Sequence, residues 1–267
     1  MLPDTPLILI SGLCCDGWFF WPQVARFNRL ADGRPRHVVA PDWVMHADPQ
    51  DGTGALPRLA ARLASAWHRG GLDGALVVGH SLGGLLATLV AANGGFRPAG
   101  LLLIDAMVPI VEDRKPALRD LATRIRGAAN PDQGKQRERM GEVLRDYVFQ
   151  HLSSGTDDRA VLAAIVDRMS AADPFRNALL VESALVVDFA AALKQVPGRV
   201  AGLAAEPARL PTERLLQIRP DAAVAQVKGA GHFLTLLAPE AVNAAIQAMM
   251  ESAPISGPGL VPLAAAR

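Results

Sequence analysis

The sequence predicts a doubly wound α/β fold, with a mainly parallel sheet of about six strands and a helical segment inserted between two of them. Three observations predict it. Short apolar runs recur along the 267 residues, and they are continuous rather than alternating, as strands buried on both faces require. Stretches with helical spacing separate most of these runs, the order that builds a parallel sheet. One long stretch, 109–196, breaks the rhythm and carries no strand signal.

Taken in order, the first strand is Leu7–Ile10, followed by the loop Ser11-Gly12-Leu13-Cys14-Cys15-Asp16-Gly17-Trp18. His37–Ala40 is the second strand, ending in Pro41-Asp42-Trp43. Leu56, Leu59, Leu63 and Trp67 share one helical face, so Leu56–Trp67 reads as a crossover helix. The strand Ala75–Val78 then runs into Gly79-His80-Ser81-Leu82-Gly83, and the helix Leu82–Ala92 begins at once. This is G-x-S-x-G between a strand and a helix, the context in which the pattern holds a serine on a strained turn above a sheet. The glycines leave room for that turn, and the N–H groups at the helix start point where an oxyanion would develop. Ser81 is therefore the candidate nucleophile.

Leu101–Ile104 is the fourth strand and ends in Asp105. The insert follows as four expected helices, Glu112–Gly127, Gly134–Leu152, Asp157–Ala171 and Pro174–Leu193. Arg199–Leu203 and Ala223–Val227 complete the strands, and Glu240–Met250 is the last helix. The expected division is a core of 1–108 and 197–251, a helical cap of 109–196, and a flexible tail of 252–267 rich in proline and glycine.

Composition excludes several classes. A net charge of +1 offers no field for nucleic acid or an anionic membrane. The adjacent Cys14 and Cys15 are poorly placed to bridge each other and read as small buried hydrophobes. Two cysteines and scattered histidines form no ligand cluster, so neither metal nor cofactor is expected. The start, Met1 to Pro6, lacks a basic leader region, and Leu7–Ile10 is too short to cross a membrane, so a cytoplasmic location is the expectation. The expected partner is a small-molecule substrate; nothing in the sequence sets an oligomeric state.

With these pieces in place, the chain from Leu7 to about Met250 resembles the α/β-hydrolase superfamily. The resemblance rests on Gly79-His80-Ser81-Leu82-Gly83, on the Ser11-Gly12 loop, on Pro41-Asp42-Trp43, and on Gly229-Ala230-Gly231-His232-Phe233 followed by Ala238-Pro239-Glu240. It implies a sheet that begins at the family's third strand, without the N-terminal hairpin. It also implies that His232 is the general base, serine preceding histidine in the chain as this fold requires. The oxyanion hole would be the backbone N–H groups of Leu13 and Leu82. Of Trp18, Phe19, Phe20 and Trp21, some are expected to pack the core and one to face the substrate.

The triad acid stays open between two residues. Most of the family places an aspartate after the strand at Arg199–Leu203, where this chain has Ala204-Ala205-Glu206-Pro207. Asp105, at the end of the preceding strand, is the preferred acid, and Glu206 is the alternative. The resemblance implies a serine hydrolase acting on an ester or thioester of a small, mostly apolar substrate. Two other readings stand beside it. Cofactor-free dioxygenases of N-heteroaromatic quinolones are loosely similar and place their acid after the earlier strand, although Leu82 stands where they tend to carry a histidine. The other is a non-catalytic ligand-binding protein of the same fold.

Overall fold

The computed structural model describes residues 4–257 and 259–263. Seven strands form one sheet in the order β2-β1-β3-β4-β5-β6-β7. They are β1 (Leu7–Ile10), β2 (Val38–Val39), β3 (Leu76–His80), β4 (Gly100–Ile104), β5 (Arg199–Ala204), β6 (Ala223–Val227) and β7 (Leu260–Leu263). The first six run parallel, and β7 pairs antiparallel with β6.

Side-chain alternation explains why these segments are apolar throughout. Ile8, Ile10, Val77, Leu101 and Leu103 enter the core on one face. Leu7, Leu9, Leu76, Val78, Leu102 and Ile104 enter the core on the other. Strands β1, β3 and β4 are thus covered twice, and a polar residue on either face would lose its water.

The helices are α1 (Trp21–Phe27), α2 (Ala55–Arg69), α3 (Leu82–Ala91), α4 (Lys115–Gly127), α5 (Gln133–Tyr147), α6 (Arg159–Met169), α7 (Pro174–Ala184), α8 (Phe189–Gln195), α9 (Thr212–Ile218), α10 (Leu234–Leu237) and α11 (Pro239–Glu251). Helices α4 to α8 all lie between β4 and β5. Leu121 and Ile125 of α4, Leu144 of α5 and Ile165 of α6 join the same core face as β3 and β4. Among the described residues no helix is long and apolar enough to cross a membrane.

Three expectations differ. The single helix expected over Pro174–Leu193 is two, because the Asp188 side chain accepts from the Ala191 N–H and starts α8 afresh. Trp21–Phe27 and Thr212–Ile218 are short helices not foreseen in the loops. The tail expected to be flexible from 252 contains β7, which covers the edge of β6 that would otherwise expose its N–H and C=O groups. Pro262 is tolerated there because β7 lies at the sheet's edge. Residues 258 and 264–267 of that tail lie outside the described residues, as do 1–3 of the start.

The strand order positions the site. After β1 the chain builds β2 on one side, then crosses to build β3 on the other. Ligands of open α/β sheets bind outside the carboxyl ends of the strands at such a switch point. The loop after β1 and the turn after β3 flank it.

Candidate active site

Ser81 lies between β3 and α3 with φ 55° and ψ −126°. A non-glycine residue is held there only when its surroundings enforce it. The enforcement is close packing of α3 on the sheet. A Cβ at Gly83 would stand 2.2 Å from the carbonyl oxygens of Ile10 and Ser11. A Cβ at Gly79 would stand 2.5 Å from Gly84 Cα. Glycine at these positions lets α3 start against β1, which is what turns Ser81 outward.

Asp105 and His232 meet directly. Asp105 follows β4 with φ 41°, another strained residue at a strand end. Its Oδ2 lies 2.7 Å from His232 Nδ1. Its Oδ1 accepts three backbone N–H groups, from Ala205 at 3.1 Å, Arg209 at 2.8 Å and Leu210 at 3.2 Å. The carboxylate is fully buried. Burial opposes its charge most strongly, but the His232 hydrogen bond, the imidazole's charge and the backbone donors together hold the carboxyl below its ordinary range. The loop after β5, where most of the family would carry the acid, wraps its main chain around the acid of β4 instead.

Glu206 does not reach the histidine, which corrects the alternative. Its Oε2 accepts the Gly229 N–H at 2.9 Å, and its Oε1 lies 3.2 Å from Lys228 Nζ. The longer side chain sits two residues beyond the end of β5 and ties two surface loops together. Those contacts, the Gly229 N–H first, hold its carboxyl below the ordinary range.

The candidate oxyanion donors border the same cavity. Leu13 N–H makes no hydrogen bond to another described residue. Leu82 opens α3, where an N–H has no intrahelical acceptor. The loop carrying Leu13 is anchored from both sides. Trp43, fully buried, donates its indole N–H to the Ser11 carbonyl at 2.9 Å. Asn177 of α7 accepts the Cys14 N–H at 2.8 Å.

Ser81 and His232 line one cavity of about 70 Å³, with no hydrogen bond between them. Leu118 and Leu121 of α4, Leu144 and Tyr147 of α5, Met169 of α6 and Val181 of α7 line it too. The walls are mostly aliphatic, and Asp105 is the one carboxylate among them. None of Trp18, Phe19, Phe20 and Trp21 lines it. Phe19 and Phe20 are core residues and the two tryptophans are exposed, so the aromatic rings that face the cavity beside the two imidazoles are Phe233 and Tyr147. Burial pushes both cysteine thiols up, which suits inert packing residues. Among the described residues no three His, Cys, Asp or Glu side chains converge as metal ligands do.

His80 packs against the ring of His232, with centroids 4.7 Å apart. Its Nε2 lies 3.0 Å from the His232 carbonyl oxygen, so Nε2 is the donor. Burial, reinforced by the neighbouring imidazole, lowers its pKa to about 3. It is a neutral prop behind the candidate base.

Segment 148–157 reaches back to the histidine loop. After α5 the chain makes a π-helical turn, Val148–Leu152, whose Leu152 carbonyl accepts the His232 N–H at 2.8 Å. Asp157 Oδ1 accepts the Gly231 N–H at 2.9 Å. These contacts, Asn177, and Tyr147 and Arg209 in the cavity were not read from the sequence. The one available signal was that Tyr147 is the chain's single tyrosine.

Residues 7–245 match the profile of the Alpha/beta hydrolase family. No curated protein matches the chain. Solved structures do. A bromoperoxidase from Bacillus anthracis superposes with a TM-score of 0.72 at 18% identity, covering 93% of this chain and 92% of that one. An enol-lactonase from Burkholderia xenovorans LB400 gives 0.70 at 18% identity, with 93% and 92% covered. A thermophilic esterase from Thermogutta terrifontis gives 0.66 at 22% identity, with 93% and 90% covered. At such identities the likeness establishes the fold, and the chemistry must be argued from the site.

Proposed function

Since this chain belongs to the alpha/beta hydrolase family, we propose that it is a serine hydrolase cleaving an ester or thioester of a small, largely apolar substrate. The observation that carries the proposal is the buried Asp105–His232 hydrogen bond of 2.7 Å beside a strained serine in one cavity.

In this mechanism Asp105 holds the proton of His232 on Nδ1, leaving Nε2 free to accept. Ser81 Oγ attacks the substrate carbonyl while Nε2 takes the hydroxyl proton. The charge that develops on the carbonyl oxygen is met by the N–H groups of Leu13 and Leu82, each worth roughly 3–4 kcal/mol of barrier in comparable sites. The tetrahedral adduct collapses, His232 protonates the departing alcohol or thiol, and an acyl group stays on Ser81. Water, deprotonated by His232, repeats the sequence and releases the acid. Ser81 and His232 form no hydrogen bond in this structure, and such catalytic hydrogen bonds tighten in the substrate complex.

The test is a fluorophosphonate probe followed by peptide mapping. The label should sit on Ser81, and Ser81→Ala should lose both the label and several orders of magnitude of ester turnover. An unlabelled Ser81, or full turnover by a folded alanine variant, would remove the nucleophile.

One feature favours a second reading. The acid lies after β4 rather than β5, as in the cofactor-free dioxygenases, where the histidine deprotonates the substrate and the anion reacts with O₂. Anoxic buffer separates the two. Hydrolysis continues without O₂, whereas ring cleavage of a 3-hydroxy-4-quinolone stops.

A further inference from the structure

One charged side chain in the cavity takes no part in the chemistry above. Arg209 lines the cavity, and its Nε is buried with no hydrogen-bond partner. Its backbone N–H is used, on Asp105, but its guanidinium meets no carboxylate among the described residues. Asp105 cannot serve, because its two oxygens already face His232 and three backbone N–H groups. A guanidinium cannot shed its proton, so burying part of it unpaired is costly unless something else supplies the anion.

A second polar group stands beside it. Tyr147 lines the same cavity, and its hydroxyl has no hydrogen-bond partner among the described residues. Burial raises its pKa, and the positive charges of Arg209 and Arg114 only partly offset this. The phenol is therefore a donor at neutral pH. Arg114 is exposed and adds positive charge near the same ring. The cavity thus has aliphatic walls, a reacting centre at Ser81, and one cationic spot where a donor-only guanidinium stands beside a phenol that can donate.

Resting on the hydrolase reading of the site, we infer that the substrate carries a carboxylate, which Arg209 pairs with and Tyr147 hydrogen-bonds. The planar fork of a guanidinium matches a carboxylate through two parallel N–H donors, and a single cation among apolar walls suits a monoanion. The substrate is then an ester or thioester whose apolar body ends in one carboxylate. Arg209 and Tyr147 select it without touching the reacting carbonyl.

Two pairs of isosteric esters test this, with turnover followed as proton release. Monomethyl glutarate against methyl 5-methylhexanoate places the charge on the acyl side. Sodium 4-acetoxybutanoate against 4-methylpentyl acetate places it on the alcohol side. In one pair the carboxylate ester should be favoured at least tenfold in kcat/KM by the wild-type chain. Arg209→Leu should erase that preference, Arg209→Lys should keep part of it, and Tyr147→Phe should reduce it several-fold, chiefly through KM. A wild-type preference for the neutral ester in both pairs, or a preference that survives Arg209→Leu, overturns the inference. Failure of the hydrolase reading looks different: Ser81 resists the fluorophosphonate and no ester turns over. The anion site is then read by binding alone. Glutarate should raise the Tm of the wild-type chain but not of Arg209→Leu, and no rise in the wild type overturns the inference.

Discussion

At Asp105 the hydrogen-bond pattern sets a sharp expectation for its nearest isostere. Three N–H donors face Oδ1, so in Asp105→Asn the amide oxygen must stay there, or an NH₂ group would meet three donors. The amide NH₂ then occupies the place of Oδ2 and donates to His232 Nδ1. That forces the imidazole proton onto Nε2, where it cannot accept from Ser81. The fold should survive while kcat falls by roughly 10³–10⁴, the cost of the wrong tautomer in serine enzymes. Glu206→Gln should leave kcat within about twofold, since an exposed pairing such as that with Lys228 contributes little. Steady-state kinetics on both variants checks the pair, and a larger loss at Glu206 would reassign the acid. The sequence left these two residues open for a physical reason. Both stand near strand ends beside the histidine loop, and what separates them is where the 205–210 main chain points. That depends on its wrapping around a buried charge, which has no local sequence signature.

Among the elements, the helices between β4 and β5 act on the site through a few polar contacts across the sheet's edge. Asn177 of α7 is buried and accepts the Cys14 N–H, one residue from the candidate oxyanion donor Leu13. Asn177→Ala leaves that N–H buried without a partner, at a cost of about 1–3 kcal/mol. The loop should shift, so kcat is expected to fall about tenfold with a smaller change in KM, together with a lower Tm. A lower Tm with unchanged kcat would show the contact to be structural only. Asp157→Ala should behave similarly through the Gly231 N–H. The helices themselves were legible from spacing, because their apolar faces must reach one core. Leu121 and Ile125 sit four apart for that reason. Asn177 reads in sequence as an ordinary polar position on a helix, since its partner is 163 residues away. Arg209 was hidden in the same way, as an arginine in a polar loop.

Over the whole molecule, the central strands and their burial on both faces were legible because each such strand carries its own proof. An unbroken run such as Leu101–Ile104 has no other comfortable place. The edge strand β7 was not legible, since Pro262 and the surrounding glycines resemble a loop until β6 offers an edge to pair with. The site lies where the two core faces meet the switch point, so its ionisation is coupled to global stability. His80 shows how. Its folded pKa is lowered from 6.5 to about 3. Below pH 6.5 the unfolded chain therefore takes up a proton at this residue that the native state refuses. Stability from His80 is complete above 6.5 and is lost as pH falls toward 3, by up to about 1.4 kcal/mol per pH unit. Asp105 acts in the same direction but in a lower window, because its folded pKa is depressed below the ordinary 3.8. The interval from pH 6.5 to 4.5 thus separates His80 from Asp105, and comparison with a His80 variant cancels groups such as Glu206 and Asp42 whose shifted ionisation also falls there. Urea unfolding at pH 6.5, 5.5 and 4.5 should show a steep fall for the wild type. The slope should be shallower by close to one proton for His80→Gln, whose amide can still donate to the His232 carbonyl. Equal slopes for the two proteins would mean that His80 is protonated in the folded state, and that the imidazole behind His232 is a charge rather than a neutral prop.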